Sequence, residues 1–176
     1  MVQKVKDKQS EWLLKAQEFL QMHPKDVIAL RRAAGRPMAT AGATALSAFY
    51  RLHPDERYEE EEFTVICLMC LWREDEWAKG LSLPKAMKKS LPKDQRQEFP
   101  RRLKGLLDLP WEATGYFSSK LYRVIKFCRS KGNIVDAHKL LYALRYWNHP
   151  EYFIQRNWVK EFYQMEISED TSEGEI

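Results

Sequence analysis

The chain has 176 residues, of which 44% are hydrophobic, 31% charged and 12% aromatic. This apolar fraction excludes a disordered chain, because it can bury enough surface to offset the entropy of folding, and the length fits one domain or two small lobes. The 29 lysines and arginines exceed the 25 aspartates and glutamates by four, and three cysteines are too few for a disulfide framework.

Apolar residues recur at helical spacing along almost the whole chain. In chain order, the spacing predicts helices over about 10–22, 26–34, 44–52, 54–77, 82–91, 100–109, 117–130, 134–147 and 150–165. We expect Asp26 and Asn133 to cap the second and eighth of these helices. No segment alternates apolar and polar β-branched residues as a half-buried strand would.

These elements predict an all-α fold of about eight or nine helices in two packed helical bundles. We expect a single all-α domain over residues 1–165, with an N-terminal bundle at about 10–90 and a C-terminal bundle at about 100–165. The composition shifts near residues 79–100, where the boundary is predicted. Residues 166–176 read as an acidic, flexible tail.

The sequence also predicts where the protein works. It has no run of about 20 apolar residues, so we expect no membrane span and no membrane partner. Its first residues are charged and lack an apolar secretory segment, which favours the cytoplasm.

Motifs that carry chemistry are scarce. There is no zinc-protease helix motif, phosphate-binding glycine loop or nucleophile elbow, so we expect no enzyme activity, cofactor or small-molecule substrate. Cys67 and Cys70 are spaced as a metal pair, but they lie in an apolar stretch without a second pair, which favours core packing over zinc. The run Glu59–Glu62 suits a solvated helix start, and a metal-dependent nuclease using it stays open as an alternative.

The charge is distributed unevenly. Residues 1–78 carry a net charge of −2, residues 79–131 carry +10 and residues 132–176 carry −4. On the predicted helix 117–130, one face is apolar, Arg123 and Lys126 lie opposite it, and Lys120 and Arg129 lie on the flanks. No acid occurs between Glu112 and Asp136. A stripe of cations without acids matches a phosphate backbone, although an ordinary solvated basic face remains an alternative.

Other cations extend this signal. Lys88 and Lys89 lie in one short helix, and Arg101 and Arg102 begin the next, followed by Lys104. Two interpretations stay open for Arg31, Arg32 and Arg51: arginines at the edge of the core, or guanidinium groups directed at phosphate. The aromatic residues Trp111, Tyr116 and Tyr122 could stack on bases, although core packing is the commoner role for such side chains.

An ordered set of segments along residues 10–164 resembles the CasB family, the small subunit of the type I-E CRISPR complex Cascade. The segments are ALRRA at 29–33, AFYRL at 48–52, Gly80-Leu81, RRLKGLL at 101–107, LYRVIKF at 121–127, LLYALRYWN at 140–148 and NWVKEFY at 157–163. Their order, spacing and total length together carry the resemblance.

The resemblance implies a non-catalytic, all-α subunit that contacts other Cascade subunits and a second copy of itself. It also implies a basic face that holds the guide RNA and target DNA region, including the displaced strand, as the R-loop forms. Arg32 and Arg51 match family positions on that face, Arg57 lies near another, and Lys120, Arg123 and Lys126 lie in the second basic helix.

We therefore predict nucleic-acid binding and antiviral defence within a complex. A DNA-binding regulator of the helix-turn-helix type remains the alternative. The predicted nucleic-acid-binding residues are Arg31, Arg32, Arg51, Arg57, Lys88, Lys89, Arg101, Arg102, Lys120, Arg123 and Lys126.

Overall fold

The computed structural model describes the backbone of residues 2–77, 80–112 and 114–170, and the side chains within 8–164 of those ranges. Within them lie nine α-helices. They are α1 (Val2–Gln21), α2 (Pro24–Ala33), α3 (Ala43–Tyr50), α4 (Glu59–Met69), α5 (Leu83–Ser90), α6 (Arg101–Leu107), α7 (Tyr116–Ser130), α8 (Ala137–Arg145) and α9 (Phe153–Asp170). Short 3-10 turns cover Met38–Thr40, Glu74–Glu76 and Lys93–Gln95. The described ranges contain no β-strand, so the predicted all-α class is confirmed.

Several helix ends differ from the prediction. Asp136 caps α8, because its carboxylate accepts hydrogen bonds from the backbone N–H groups of His138 and Lys139, at 2.8 and 3.1 Å. Asn133 instead donates from its side chain to Ser90 at 2.9 Å. The predicted cap of α2 is also wrong, because that helix begins two residues earlier than Asp26, at Pro24.

The predicted helix 54–77 ends early, at Met69, and α9 begins at Phe153 and continues to Asp170. The first five residues of the predicted tail, 166–170, are therefore helical. The rest of that tail, residues 171–176, lies outside the described residues.

The centre of the molecule is α4. Residues 63–72 are all buried, so α4 from Phe63 onward and the turn after it have no side facing solvent, as expected of an element surrounded by protein. Helices α2, α7 and α8 pack around α4. The glutamates at the start of α4 are predicted to be solvated, but Glu62 is fully buried, and its carboxylate is paired with the guanidinium of Arg145 in α8.

The two predicted bundles meet through one continuous core. Helix α1 packs on α8, and α5 packs on both α7 and α9. The segments before α5 and α8 are joined by backbone hydrogen bonds, in which Leu81 N–H donates to Ile134 O at 3.0 Å and Asp136 N–H donates to Leu81 O at 2.8 Å. The division into two bundles stays a prediction.

Aromatic side chains join α7, α9 and the turn after α8 within this core. The Trp147 ring makes edge-to-face contacts with Phe117 of α7 and Trp158 of α9, with centroids 5.0 Å apart in each pair. Such contacts hold α7, α8 and α9 at fixed positions, and thereby fix the direction in which α7 presents its outer face. None of the described helices combines the length and the apolarity that a bilayer crossing requires.

Candidate nucleic-acid interface

Helix α7 has the two faces that its sequence predicts. Its buried side chains are Phe117, Ser118, Leu121, Val124, Ile125 and Cys128. Arg123, Lys126 and Arg129 are exposed, and Lys120 is half-buried. The spacing of apolar residues therefore placed the cations of this helix correctly on its solvent side.

Helix α6 lies along one edge of this exposed face. The guanidinium of Arg102 sits over the ring of Phe127, 4.4 Å from its centroid. One turn further along, a Cβ added to Gly105 would lie 3.5 Å from Lys120 Nζ, so the two helices approach closely there. These contacts place the basic side chains of α6 next to those of α7.

The end of α2 lies along the opposite edge. Gly35 has a φ of +83°, and a Cβ at this position would come within 2.7 Å of the Tyr122 ring, so only glycine allows this approach. Lys126 Nζ lies 5.3 Å from the centroid of the same ring. Arg36 follows Gly35 directly and Arg32 precedes it by three residues, so both belong to the segment that contacts α7.

We call this surface the basic face. Its members are exposed or half-buried cations of α6, of α7 and of the α2 segment that contacts α7 through Gly35: Arg32, Arg36, Arg102, Lys120, Arg123 and Lys126. Among the described residues, no carboxylate lies within salt-bridge distance of any of the six. Their charge is therefore available to an external anion.

The basic face continues into a shallow cleft between α2 and the start of α3. Lys25, Arg32 and Arg36 line it together with residues 41–45. The N-terminus of α3 follows Gly42 and has no side-chain cap, so its free N–H groups add partial positive charge on the same side. Cations beside an uncapped helix start form a suitable seat for a phosphate.

Three predicted arginines have protein partners instead. Arg31 Nε donates to the carbonyl oxygen of Cys70 at 2.6 Å, which ties α2 to the end of α4. Arg51 pairs with Asp26 at 2.8 Å, and its side chain is 48% exposed. Arg57 pairs with Asp55 at 2.8 Å, and the hydrogen bond from Arg57 lowers the pKa of the Asp55 carboxyl. A phosphate that binds any of these three guanidinium groups would therefore compete with a protein oxygen for its charge.

The two lysines of α5 lie in very different places. Lys88 is only 3% exposed, and its ammonium donates to Phe162 O at 2.7 Å and lies 4.9 Å from the centre of the Phe162 ring. Lys89, one residue on, is exposed. Lys88 is therefore a contact between α5 and α9, and we leave it out of the basic face.

A second cationic surface borders α6. We call it the basic cleft; its lining includes Arg101, Arg102, Lys104 and Lys131. Phe127, Asp94 and Glu98 line it as well. Arg102 belongs to both surfaces and connects them.

The remaining candidates for chemistry are structural. Cys67, Cys70 and Cys128 are buried, and burial raises the pKa of Cys70 to about 12 and that of Cys128 to about 11, so these thiols are protonated core side chains. Across the part of the chain that the structure describes, no cluster of three or more histidines, cysteines and acids could hold a metal ion. Glu62, proposed for a nuclease, is already paired with Arg145.

The aromatic candidates separate by exposure. Trp111 is buried, with its indole packed edge-to-face on Phe117. Tyr122 is half-buried against Gly35. Tyr116 is 59% exposed, and Lys120 Nζ lies 5.1 Å from its ring centroid, so it is the aromatic residue best placed to meet a base.

Lys25, Arg36 and Lys131 are not among the residues predicted from the sequence. A signal for Lys25 was present, since Lys25 and Arg32 are seven residues apart and fall on one face of α2. Arg36 lies beyond the end of α2, where helical spacing gives no signal. Lys131 follows the last turn of α7, and only the packing of α6 brings it beside the other cations.

Comparison with known proteins points in one direction. The model of the family described as CRISPR-associated protein Cse2 matches residues 27–163. A chain of a structure described as a CRISPR RNA-guided surveillance complex superposes with a TM-score of 0.70 at 19% identity, covering 97% of this chain and 99% of that one. CasB from Thermus thermophilus superposes with a TM-score of 0.68 at 18% identity, covering 89% and 97% of the two chains. No curated protein matches significantly.

Proposed function

The chain belongs to the CRISPR-associated Cse2 family, and from this premise we propose that it is a non-catalytic subunit of a Cascade-type surveillance complex that holds nucleic acid on its basic face. One observation carries the proposal: through Gly35 and Tyr122, the segment that carries Arg32 contacts α7, the helix that carries Arg123 and Lys126, and none of these three cations has a neutralising carboxylate among the described residues. Its partners are other subunits, a second copy of itself, the guide RNA and the target DNA.

The physical basis of binding is counterion release. Each cation that neutralises a phosphate frees a condensed counterion, so the affinity falls as salt rises and depends little on base sequence. Six cations in contact with single-stranded nucleic acid give a slope of log K against log salt of about −4. The uncapped start of α3, beside Lys25, provides a further seat for one phosphate.

The benefit to the complex follows from the energetics of the R-loop. Exchange of a DNA duplex for an RNA–DNA heteroduplex is nearly balanced in free energy. Contacts that hold the displaced strand disfavour its re-annealing, so a modest contribution from this subunit shifts the balance toward the open R-loop. Such a role requires a rigid cationic surface and no catalytic group.

The test reverses charge on the basic face. In the variant Arg32→Glu/Arg123→Glu, we expect single-stranded DNA binding to weaken roughly tenfold or more at about 0.1 M salt, and the salt slope to flatten by about 1.4. Fluorescence anisotropy across a salt series measures both, and circular dichroism checks that helix content is unchanged.

The matched control is Lys15→Glu/Arg73→Glu, which makes the same change in net charge. Both residues are exposed and already pair with neighbouring acids, Glu11 and Asp75. If the control weakens binding as much as the test variant does, the protein binds through its overall charge and the assignment to the basic face is wrong. Excess unrelated DNA should abolish binding, whereas a sequence-reading regulator would resist that competition.

Arg51 and Arg57 require a separate measurement. Their exposed sides face solvent, but each is already paired with an aspartate, at 2.8 Å in both cases. Adding Arg51→Glu to the test variant compares its contribution directly with those of Arg32 and Arg123. A further loss of affinity would extend the proposed interface to the end of α3.

A further inference from the structure

Tyr116 presents its ring to solvent at the start of α7. It is the first residue of this helix, and 59% of its surface is exposed. The next residue, Phe117, is buried and packs edge-to-face on Trp147, whereas the Tyr116 ring is no part of the hydrophobic core. Folding gains little from the burial of this ring, which is therefore available to a ligand.

The start of α7 is held against the segment that follows α2. Gly115 has a φ of +87°, and a Cβ at this position would come within 2.7 Å of the Pro37 ring. Gly35 approaches Tyr122 equally closely, so this segment meets α7 at two places, which are about 10 Å apart along the helix. Arg36 lies between the two contacts in the chain, and its side chain is exposed. The backbone of Arg36 is therefore held beside the first two turns of α7.

Cations from two segments border the exposed ring. Tyr116 follows Gly115 directly, on one side of the contact just described, and Arg36 precedes Pro37 on the other side. One turn along α7, Lys120 Nζ lies 5.1 Å from the centroid of the Tyr116 ring, a distance at which an ammonium is attracted to the π-electrons. Neither cation lies within salt-bridge distance of a described acid. The ring therefore borders the basic face, next to positive charge that a phosphate can neutralise.

An exposed ring beside cations without acidic partners suits a single strand. An unpaired base stacks on an aromatic side chain while the cations follow the sugar-phosphate backbone. In a duplex each base is already stacked and paired inside the helix, so the same ring gains no contact with the face of a base. A protein partner that covered this ring would also have to desolvate the cations around it. The surroundings of Tyr116 therefore favour a polyanion with accessible bases.

We propose that Tyr116 stacks on an unpaired base of the bound strand, and that this contact makes the basic face select single strands over duplex. The inference rests on the proposed function, which supplies the phosphate contacts of the same face. It adds a preference that charge alone does not give, because phosphates are present in both forms of DNA. When the displaced strand re-anneals, its bases leave the ring, so the stack acts against re-annealing.

Substitution of Tyr116 in the full chain tests the stack. Tyr116→Leu keeps an apolar side chain but removes the π-face, so we expect a single-stranded oligonucleotide to bind about tenfold more weakly at about 0.1 M salt. Affinity for the matched duplex and for an abasic single strand should change by less than about twofold, because neither offers a base to the ring. Tyr116→Trp should retain the affinity, and the salt slope should stay the same in both variants because no cation is removed. Fluorescence anisotropy measures all three ligands, and circular dichroism checks helix content.

Tyr152→Leu provides the comparison, because Tyr152 is 62% exposed directly before α9 and lies outside the basic face. This variant should bind the single strand as the natural chain does. A second measurement locates the contact: single-stranded DNA that carries 5-iodouracil should form a photochemical cross-link to Tyr116 and none to Tyr152, as mapped by mass spectrometry.

Three results would overturn the stack. They are an unchanged affinity of Tyr116→Leu for the single strand, an equal loss for the single strand, the duplex and the abasic strand, and a loss of assembly with other subunits at unchanged affinity for DNA. The last would make Tyr116 a contact with protein. Failure of Arg32→Glu/Arg123→Glu to weaken binding would instead overturn the proposed function, so the two failures are distinguishable.

Discussion

The glutamates at the start of α4 lie in different surroundings, because a different segment packs against each of them. Glu62 is buried and paired with Arg145, whose guanidinium also lies 4.2 Å from the centre of the Tyr58 ring. Burial raises the pKa values of Glu60 and Glu61, although each accepts a hydrogen bond that acts in the other direction, from Met38 N–H and from Trp111. The glutamate run is therefore a structural junction between α4, α8 and two loops.

The raised pKa of Glu61 gives a prediction with a definite sign. Its ionised form is less favourable in the folded chain than in the unfolded chain, so it lowers stability above its folded-state pKa, and this penalty is relieved as the pH falls toward the ordinary value of 4.5. We expect Glu61→Gln to be more stable than the natural chain at pH 7.5. The difference should shrink toward pH 4.5, measured by urea unfolding. A difference independent of pH would show that ionisation of Glu61 is not its cause.

At the scale of elements, apolar periodicity predicted which helices exist but not all of their ends. The face of α7 was predictable because its pattern is local: Leu121, Val124, Ile125 and Cys128 recur at helical spacing. The burial of Lys88 was not predictable from α5 alone, because it depends on α9 covering that side of the helix. A lysine at the edge of a basic cluster and a buried lysine have the same local pattern.

The neighbouring lysines of α5 supply a matched pair for testing this packing. Lys88→Glu places a carboxylate in a buried site that presents a carbonyl oxygen, so we expect a loss of about 3 kcal/mol in the free energy of unfolding. Lys89→Glu makes the same charge change at an exposed site and should change stability by less than about 0.5 kcal/mol. Chemical denaturation compares the two. Equal effects would show that the contact between Lys88 and Phe162 does not stabilise the fold.

The continuous core of the whole molecule couples the unfolding of the two predicted bundles. Helices α1, α4 and α5 from the first predicted bundle pack on α7, α8 and α9 from the second. Separating the bundles would expose side chains that are fully buried, such as Met87 and Phe162, so neither bundle is expected to stay folded without the other.

We therefore expect one cooperative transition, with urea unfolding curves from circular dichroism and tryptophan fluorescence that coincide. Trp12, Trp72 and Trp77 report on the first bundle, whereas Trp111, Trp147 and Trp158 report on the second. Replacing Trp147 and Trp158 by Phe leaves fluorescence mainly from the first bundle. Two separate transitions would establish the bundles as independent domains and contradict unfolding as one unit.

The sequence alone determined the helical class, the burial of the cysteines and the cationic side of α7, because each follows from spacing within about four turns of chain. The resemblance to a known family, read from the order of seven segments, pointed to the family that the comparison then established. Only the tertiary structure decided which cations act together. Gly35 against Tyr122 joins the segment that carries Arg32 to the helix that carries Lys126, while the close packing of α9 removes Lys88 from the surface. These contacts join residues more than 70 positions apart, and no local periodicity encodes which helix will cover which face.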